Sequence, residues 1–190
     1  MIELPELILA SRSPRRSEIL TSVGWKFTKH SADIDETERE SELPADYVRR
    51  LAIEKAEAVE SEYPGSIVLG ADTTVVIDEM IIGKPIDLHD ARRMLQMLSG
   101  NWHEVLTGVA VVQDGTTRSD IQRTRVKFSK MSDAEINHLA ILGDPLDKAG
   151  AYAVQAQAAL FIERIEGDYW NVVGLPISLV YELIMKKPGV

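Results

Sequence analysis

The sequence predicts a mixed α/β (α+β) fold, with helices set against a sheet that contains both parallel and antiparallel strands. Three observations lead there. Apolar runs of strand length alternate with segments of helical period. Two dipeptides, Asp78-Glu79 and Asp114-Gly115, stand between strand-like runs as two-residue hairpin turns, while other strands are separated by helices and need crossovers. The chain has 190 residues, 45% hydrophobic and 27% charged, which supports one sizeable core, as one domain or as two lobes sharing a sheet.

Leu7-Ile8-Leu9-Ala10 is a short apolar run of the kind that forms a buried strand. It breaks into Ser11-Arg12-Ser13-Pro14-Arg15-Arg16, and a helical pattern over residues 17–23 follows, closed by Gly24. Pro14 suits a first helical turn, where its missing N–H costs nothing. Residues 25–30 alternate like a half-buried strand, and residues 33–42 are rich in carboxylates and read as an exposed loop stopping at Pro44. Residues 46–62 have helical period. Residues 66–77 form a long strand with a polar interruption, turned by Asp78-Glu79 into Met80-Ile81-Ile82. Gly83-Lys84-Pro85 leads to a helix over residues 88–98, closed by Ser99-Gly100. Strands over residues 104–113 and 116–128 pair about Asp114-Gly115. A short helix over 133–142, a strand over 159–166 and a last helix over 175–185, entered at Pro176, complete the pattern.

The formal net charge of −9 argues against a nucleic-acid polymer or an anionic membrane as main partner. A small anion is compatible with it, because a local arginine cluster outweighs the global charge inside a cleft. There is no cysteine, so disulfides, thiolate metal sites and cysteine nucleophiles are excluded. His30, His89, His103 and His138 are scattered without metal-ligand spacing. Neither a Gly-x-x-x-x-Gly-Lys-Ser/Thr loop, a Gly-x-Gly-x-x-Gly turn nor a Gly-x-Ser-x-Gly elbow occurs. Walker-type ATPase, dinucleotide-binding and serine-hydrolase readings lose their main support. No apolar run reaches spanning length, and the first residues, with Glu3 and Glu6, lack the basic start and long apolar core of a signal peptide. A cytoplasmic location is expected.

Residues 11–16 bring Ser11, Ser13, Arg12, Arg15, Arg16 and the free N–H groups of a helix N-terminus to one place, an arrangement that holds phosphate. A solvated basic loop is the other reading of that segment alone. Asp72 stands within a long apolar run, where a carboxylate is costly unless paired, hydrogen-bonded or bound to metal. Gly70 and Ala71 leave room beside it for a ligand or another backbone; the structural alternative is an aspartate capping a neighbouring turn. Lys55 falls in the middle of the apolar helical face made by Val48, Leu51, Ala52, Ala56 and Val59. It must snorkel, find a carboxylate or line a cleft. Lys84, between Gly83 and Pro85, either reaches a ligand or is solvated. Glu36, with Asp33 and Asp35, can ligate a hard divalent cation or belong to a solvated acidic loop. In the small-residue run from Gly150 to Gln157, Gln155 can hydrogen-bond a base edge or phosphate, and Tyr152 can stack or pack.

Taken in order along nearly the whole chain, these pieces resemble the Maf family of nucleoside triphosphate pyrophosphatases. The matching segments are Leu9-Ala10-Ser11-x-Ser13-Pro14-Arg15-Arg16, Asp35-Glu36, Glu54-Lys55-Ala56, Leu69-Gly70-Ala71-Asp72-Thr73, Gly83-Lys84-Pro85 and Leu98-Ser99-Gly100. Leu146-Asp147-Lys148-Ala149-Gly150-Ala151-Tyr152, Ile165-Glu166-Gly167-Asp168 and Val172-Val173-Gly174-Leu175-Pro176 follow. The resemblance implies hydrolysis of a nucleoside triphosphate between the α and β phosphates, to the monophosphate and pyrophosphate, with magnesium, manganese or cobalt as cofactor. The residue 148–152 pattern with Gln155 is similar to the subfamily acting on dTTP and UTP rather than the one preferring 7-methyl-GTP.

By position, Asp72 matches the family's proton acceptor, and Arg15, Thr73 and Gln155 match positions tied to substrate choice. Ser11, Arg16, Glu36, Lys55 and Lys84 match the remaining polar residues of the cleft. The resemblance also implies one domain over residues 1–190, with a strongly twisted mixed sheet flanked by helices in two lobes around a central cleft. A cytoplasmic homodimer and a link to inhibition of septum formation are implied as well. Two departures stand out: Arg12 replaces a small or neutral residue of many members, and Ala156-Gln157-Ala158-Ala159 replaces a glycine-rich stretch.

The expected mechanism follows from these residues. Arg15, Arg16, Lys55 and Lys84 neutralise the triphosphate, while Ser11, Ser13 and the helix N-terminus orient it. A divalent cation held partly by Glu36 offsets charge on the departing pyrophosphate, and Asp72 activates a water for in-line attack on the α phosphorus or ligates that metal. The alternatives are a nucleotide-binding regulator of septum formation without turnover, and a pyrophosphatase for non-standard nucleotides.

Overall fold

The computed structural model describes residues 2–185. The chain opens with β1 (Leu7–Ala10), α1 (Pro14–Ser22), β2 (Phe27–His30) and α2 (Pro44–Glu60). A hairpin of β3 (Val68–Ile77) and β4 (Met80–Ile82) leads to α3 (Leu88–Leu98) and to the long hairpin of β5 (Trp102–Gln113) and β6 (Thr116–Phe128). After α4 (Asp133–Leu142) come β7 (Ile162–Glu166), α5 (Tyr169–Val173) and α6 (Ile177–Met185). The strands form one mixed sheet in the order β2-β1-β3-β5-β6-β7, with β4 added to β3. The mixed α/β class expected from the sequence is the class observed.

Both hairpin turns have their two central residues at positive φ: Asp78 (49°) with Glu79 (64°), and Asp114 (50°) with Gly115 (70°). This is the type I′ geometry, whose twist matches that of the flanking strands. None of the helices among the described residues is long and apolar enough to cross a membrane.

The chain divides into two compact units. The first takes the residues up to Asp72, residues 107–122 and those from Gly174 onward. Here β1 lies between β2 and β3 and is parallel to both, with Ala10 paired to His30 on one side and to Gly70 on the other. Its four residues are all buried, as a central parallel strand requires. Helix α2 covers this sheet through Ala52, Ala56 and Val59, packed with Ile8, Ala10, Val68, Ala110 and Val112. Two glycines set how close it comes. A Cβ at Gly70 would stand 2.2 Å from the Ala52 carbonyl oxygen, and one at Gly108 2.2 Å from that of Val48.

The second unit holds residues 73–106 and 123–173. Helix α3 is capped by Asp87, whose carboxylate accepts from the Asp90 N–H at 2.7 Å, and it buries Ala91, Met94, Leu95 and Leu98. Helix α4 begins with a reciprocal capping box of Ser132 and Glu135. Strand β7 pairs antiparallel with β6, Arg125 facing Glu166.

Most boundaries fall within two residues of the sequence expectation; two starts differ by three, and two short elements were not expected. Helix α1 starts at Pro14 rather than three residues later, because Pro14 takes the first helical position behind the N-cap Ser13. The strand expected over residues 159–166 begins only at Ile162; Gln157–Phe161 forms a 3₁₀-helix, since alanines supply none of the β-branching that favours a strand. A 3₁₀ turn at Ala149–Ala151 and the five-residue α5 are too short to leave a periodic signal.

Candidate active site

In the first unit the chain runs from β1 to β2 on one side and returns to β3 on the other. The C-terminal ends of β1 and β3 are therefore a topological switch point, where sheets of this class open a crevice. The pairing of Ala10 with Gly70 brings the residues that follow them, Ser11 and Ala71, to the same edge. Arg16 joins them. Its Nη1 donates to Ser11 Oγ at 2.9 Å and to the Ala71 carbonyl at 2.8 Å, and its Nε donates to the Gly174 carbonyl at 2.9 Å. The side chain is buried. Burial pushes the guanidinium down from its ordinary value, and the charge of Asp72 opposes that. The Ser13 N–H donates to Ser11 Oγ at 3.2 Å. Arg15 is half-buried in the first turn of α1.

Lys55 reaches from α2 to two carboxylates. Its Nζ lies 2.7 Å from Asp72 Oδ1 and 2.8 Å from Glu36 Oε1. The lysine and aspartate side chains are 14% and 13% exposed, and that of Glu36 is 51% exposed, so one ammonium links an interior carboxylate to an outer one. The close approach of α2 to β3 at Gly70 makes this reach possible, because Lys55 and Asp72 flank that contact.

Glu36 sits on an irregular segment that α2 pins in place. The Tyr47 hydroxyl donates to the Glu36 carbonyl at 3.0 Å. Burial, then the charges of Asp72 and Glu36, push that phenol up to about 12, so it remains a donor. Arg50 donates from Nε to Glu42 Oε1 at 2.6 Å, from Nη2 to Glu42 Oε2 at 2.7 Å and to the Thr37 carbonyl at 3.1 Å. This fork holds the Glu42 carboxyl down to about 2.

The three acidic residues proposed as a group for a cation go to three different places. Asp33 forms an exposed ion pair with Arg12, which also bonds Ser31. Asp35 accepts from the Thr37 N–H at 2.9 Å, closing an Asx turn, and bonding to Thr37 holds its carboxyl below the usual value. Glu36 alone turns to Lys55. Among the described residues no group of three or more His, Cys, Asp or Glu is arranged to hold a metal ion. Glu36 and Asp72 nevertheless place two carboxylate oxygens around one cationic atom. That donor set fits magnesium, which takes one or two carboxylates and completes its shell with water and phosphate oxygens.

The remaining predicted residues belong to the second unit. Thr73 is half-buried in β3, while Lys84 and Gln155 are exposed. The segments that carry the last two are joined by a backbone bond, the Gly150 N–H donating to the Gly83 carbonyl at 3.0 Å.

The sequence matches the Maf-like protein family over residues 6–187. The chain belongs to the Maf family. A dTTP/UTP pyrophosphatase of Hahella chejuensis is 51% identical over 187 residues, covering 97% of this chain and 92% of its own. A dTTP/UTP pyrophosphatase of Symbiobacterium thermophilum is 46% identical, over 95% of this chain and 93% of its own. Among solved structures, the Staphylococcus aureus Ham1 protein matches with a TM-score of 0.48 at 13% identity, over 65% of this chain and 72% of its own.

The segments by which the chain resembles Maf proteins thus fall into two sets. Ser11, Arg16, Glu36, Lys55 and Asp72 gather within the first unit, and Lys84 and Gln155 stand on joined segments of the second. Sequence reading missed Tyr47, Arg50 and Glu42. Tyr47 carried a signal, since it lies on the same helical stripe as Leu51 and Lys55 at intervals of four. Nothing in the sequence pairs Arg50 with Glu42.

Proposed function

We propose that this chain hydrolyses nucleoside triphosphates, dTTP and UTP foremost, between the α and β phosphates, releasing the monophosphate and pyrophosphate. The observation that carries this reading is the Lys55 ammonium held between Asp72 and Glu36 at the end of a parallel strand, beside the Ser11–Arg16 loop. The names of the relatives support the substrate.

In this reading Asp72 is the general base. Lys55, on Oδ1, orients the carboxylate and leaves Oδ2 to take a proton from a water aligned for in-line attack on the α phosphorus. The Ser11 and Ser13 groups and the N-terminus of α1 orient the phosphates, and Arg15 contributes charge and substrate choice. Arg16, expected to counter phosphate charge, already bonds Ser11, Ala71 and Gly174; we assign it to holding the β1–α1 loop against β3. Thr73 and Gln155 keep the substrate choice that the family resemblance implies, and Lys84, which the resemblance places among the polar residues of the cleft, contributes phosphate charge. Glu36 would hold a divalent cation, magnesium, manganese or cobalt, together with phosphate oxygens, and when bound it supplies positive charge to the departing pyrophosphate; in the alternative reading Asp72 ligates that cation instead of acting as base. A cytoplasmic homodimer and the link to septum formation belong to the same proposal and rest on the resemblance alone.

Pyrophosphate release measured with magnesium across dTTP, UTP, CTP, GTP and ITP tests the reading. Fastest release from dTTP and UTP is expected. Nucleotide binding without release identifies a sensor instead, and fastest release from ITP identifies a pyrophosphatase of non-standard nucleotides.

A further inference from the structure

The second unit contains a buried titratable group that the proposed chemistry does not use. His103, in β5, is 2% exposed. Its ring stands edge-on to those of Phe128 and Tyr152, with centroids at 5.2 and 5.5 Å, and the latter two meet edge to face at 4.9 Å. An apolar ring would suit such a pocket better. Nδ1 of His103 is buried with no hydrogen-bond partner, and a buried polar atom without one gives up its hydration for nothing in return. Burial pushes the imidazole down to about 3, so the ring is neutral, and burial also raises the Tyr152 phenol, which keeps its proton. Nε2 lies 2.8 Å from the Tyr152 hydroxyl, and one hydrogen joins the two atoms in either tautomer. That bond is what a histidine supplies here and an apolar ring does not.

Tyr152 lies on the irregular segment that carries Gln155. The start of the segment is fixed by Gly150, which donates to Gly83 and lies so close to Val75 that a Cβ would stand 2.9 Å from Cγ2. Gly150 also needs its φ of +68°, which side chains rarely adopt. Beyond Tyr152, Val154 is buried and Gln155 is exposed. An exposed side chain on a short segment is placed only as well as the anchors behind it.

We infer that His103 is a positioning residue for nucleobase selection: its bond to Tyr152 fixes the segment 150–155, so that Gln155 meets the base at one distance and angle. This rests on the pyrophosphatase reading above.

The test is steady-state pyrophosphate release by the wild type, His103→Phe, Tyr152→Phe, the double variant and His103→Gln, on dTTP, UTP and CTP. Tyr152→Phe removes one oxygen from a packed ring, so it reports even where His103→Phe folds poorly. Each single variant is expected to raise KM for dTTP and UTP about fivefold, the range of one neutral hydrogen bond, with kcat and the KM for CTP almost unmoved. The double variant should be no worse than either single one, because both remove the same bond. His103→Gln, which returns a polar atom to about the place of Nε2, should recover most of the preference. A Tyr152→Phe enzyme with wild-type preference overturns the assignment, as does an equal fall in kcat on all three substrates with KM unchanged. A wild type that releases no pyrophosphate from any triphosphate overturns the pyrophosphatase reading and this one with it. Wild-type turnover with an unmoved preference in the variants overturns the His103 assignment alone.

Discussion

Lys55 Nζ stands 2.7 Å from Asp72 Oδ1, and the lysine projects from the apolar face of a helix that otherwise buries alanine, valine and leucine. The same ammonium reaches Glu36 at 2.8 Å. Lys55→Met keeps the aliphatic stem and removes the charge, leaving two carboxylates without their shared cation. We expect kcat/KM to fall by about 100-fold or more, the range for loss of a group that orients a general base. Lys55→Arg should not restore it, since a planar fork cannot place one nitrogen between two carboxylates as a compact ammonium does. Steady-state pyrophosphate release measures both.

Gly70 permits the approach that makes this contact. In Gly70→Ala the new methyl would stand 2.2 Å from the Ala52 carbonyl and 2.9 Å from the Ala56 Cβ, so α2 must move. Urea unfolding should show a loss of about 1–3 kcal/mol, the usual cost of overpacking a filled interior. Turnover of the folded fraction should fall as well, because Lys55 moves with the helix. Unchanged turnover in a destabilised variant would separate the packing of α2 from the chemistry.

The Arg50–Glu42 fork predicts an acid sensitivity. The Glu42 carboxyl is held at about 2 against an ordinary 4.5, so its contribution to stability is complete above the ordinary value and disappears as pH falls through the lower one. Glu42→Gln should cost about 1–2 kcal/mol near neutrality, after allowance for solvent screening, and progressively less as the pH is lowered from 4.5 toward 2. Urea midpoints of wild type and variant across that range read this directly. A difference that stays constant with pH contradicts the assigned pair.

Arg12 makes the opposite prediction. Its ion pair with Asp33 is solvent-exposed, the side chains being 70% and 91% accessible. Arg12→Ala should change stability by no more than about 0.5 kcal/mol, as exposed pairs generally do. Pyrophosphate release should stay near the wild-type rate; a large loss would place Arg12 on the substrate.

These outcomes bear on how much of the molecule was legible in its sequence. The β5–β6 hairpin could be read because a two-residue turn at positive φ has few compatible dipeptides, and Asp114-Gly115 is one of the strongest; the β3–β4 hairpin could be read only from the apolar runs on either side of Asp78-Glu79. Helix α2 could be read from its apolar stripe, and Lys55 could be singled out because it broke that stripe. The partners of the acidic segment were not legible. Asp33, Asp35 and Glu36 are near neighbours in sequence, yet each turns to a different group, and those groups are set by tertiary placement. Likewise, sequence does not tell which of the adjacent Arg15 and Arg16 turns inward; the rotation of about 100° per residue in α1 separates them. Residues 149–161, poor in large apolar side chains, carry no period from which their 3₁₀ turns could be inferred.

The central claim is that Asp72 is the base. Asp72→Asn preserves the shape of the side chain and removes its capacity to take a proton. The decisive measurement pairs pyrophosphate release from dTTP with calorimetric binding of the same nucleotide to wild type and variant. Turnover is expected to fall by about 10²–10⁴-fold, the usual contribution of general base catalysis, with the nucleotide still bound. Near-normal turnover in Asp72→Asn would contradict the assignment of Asp72 as base.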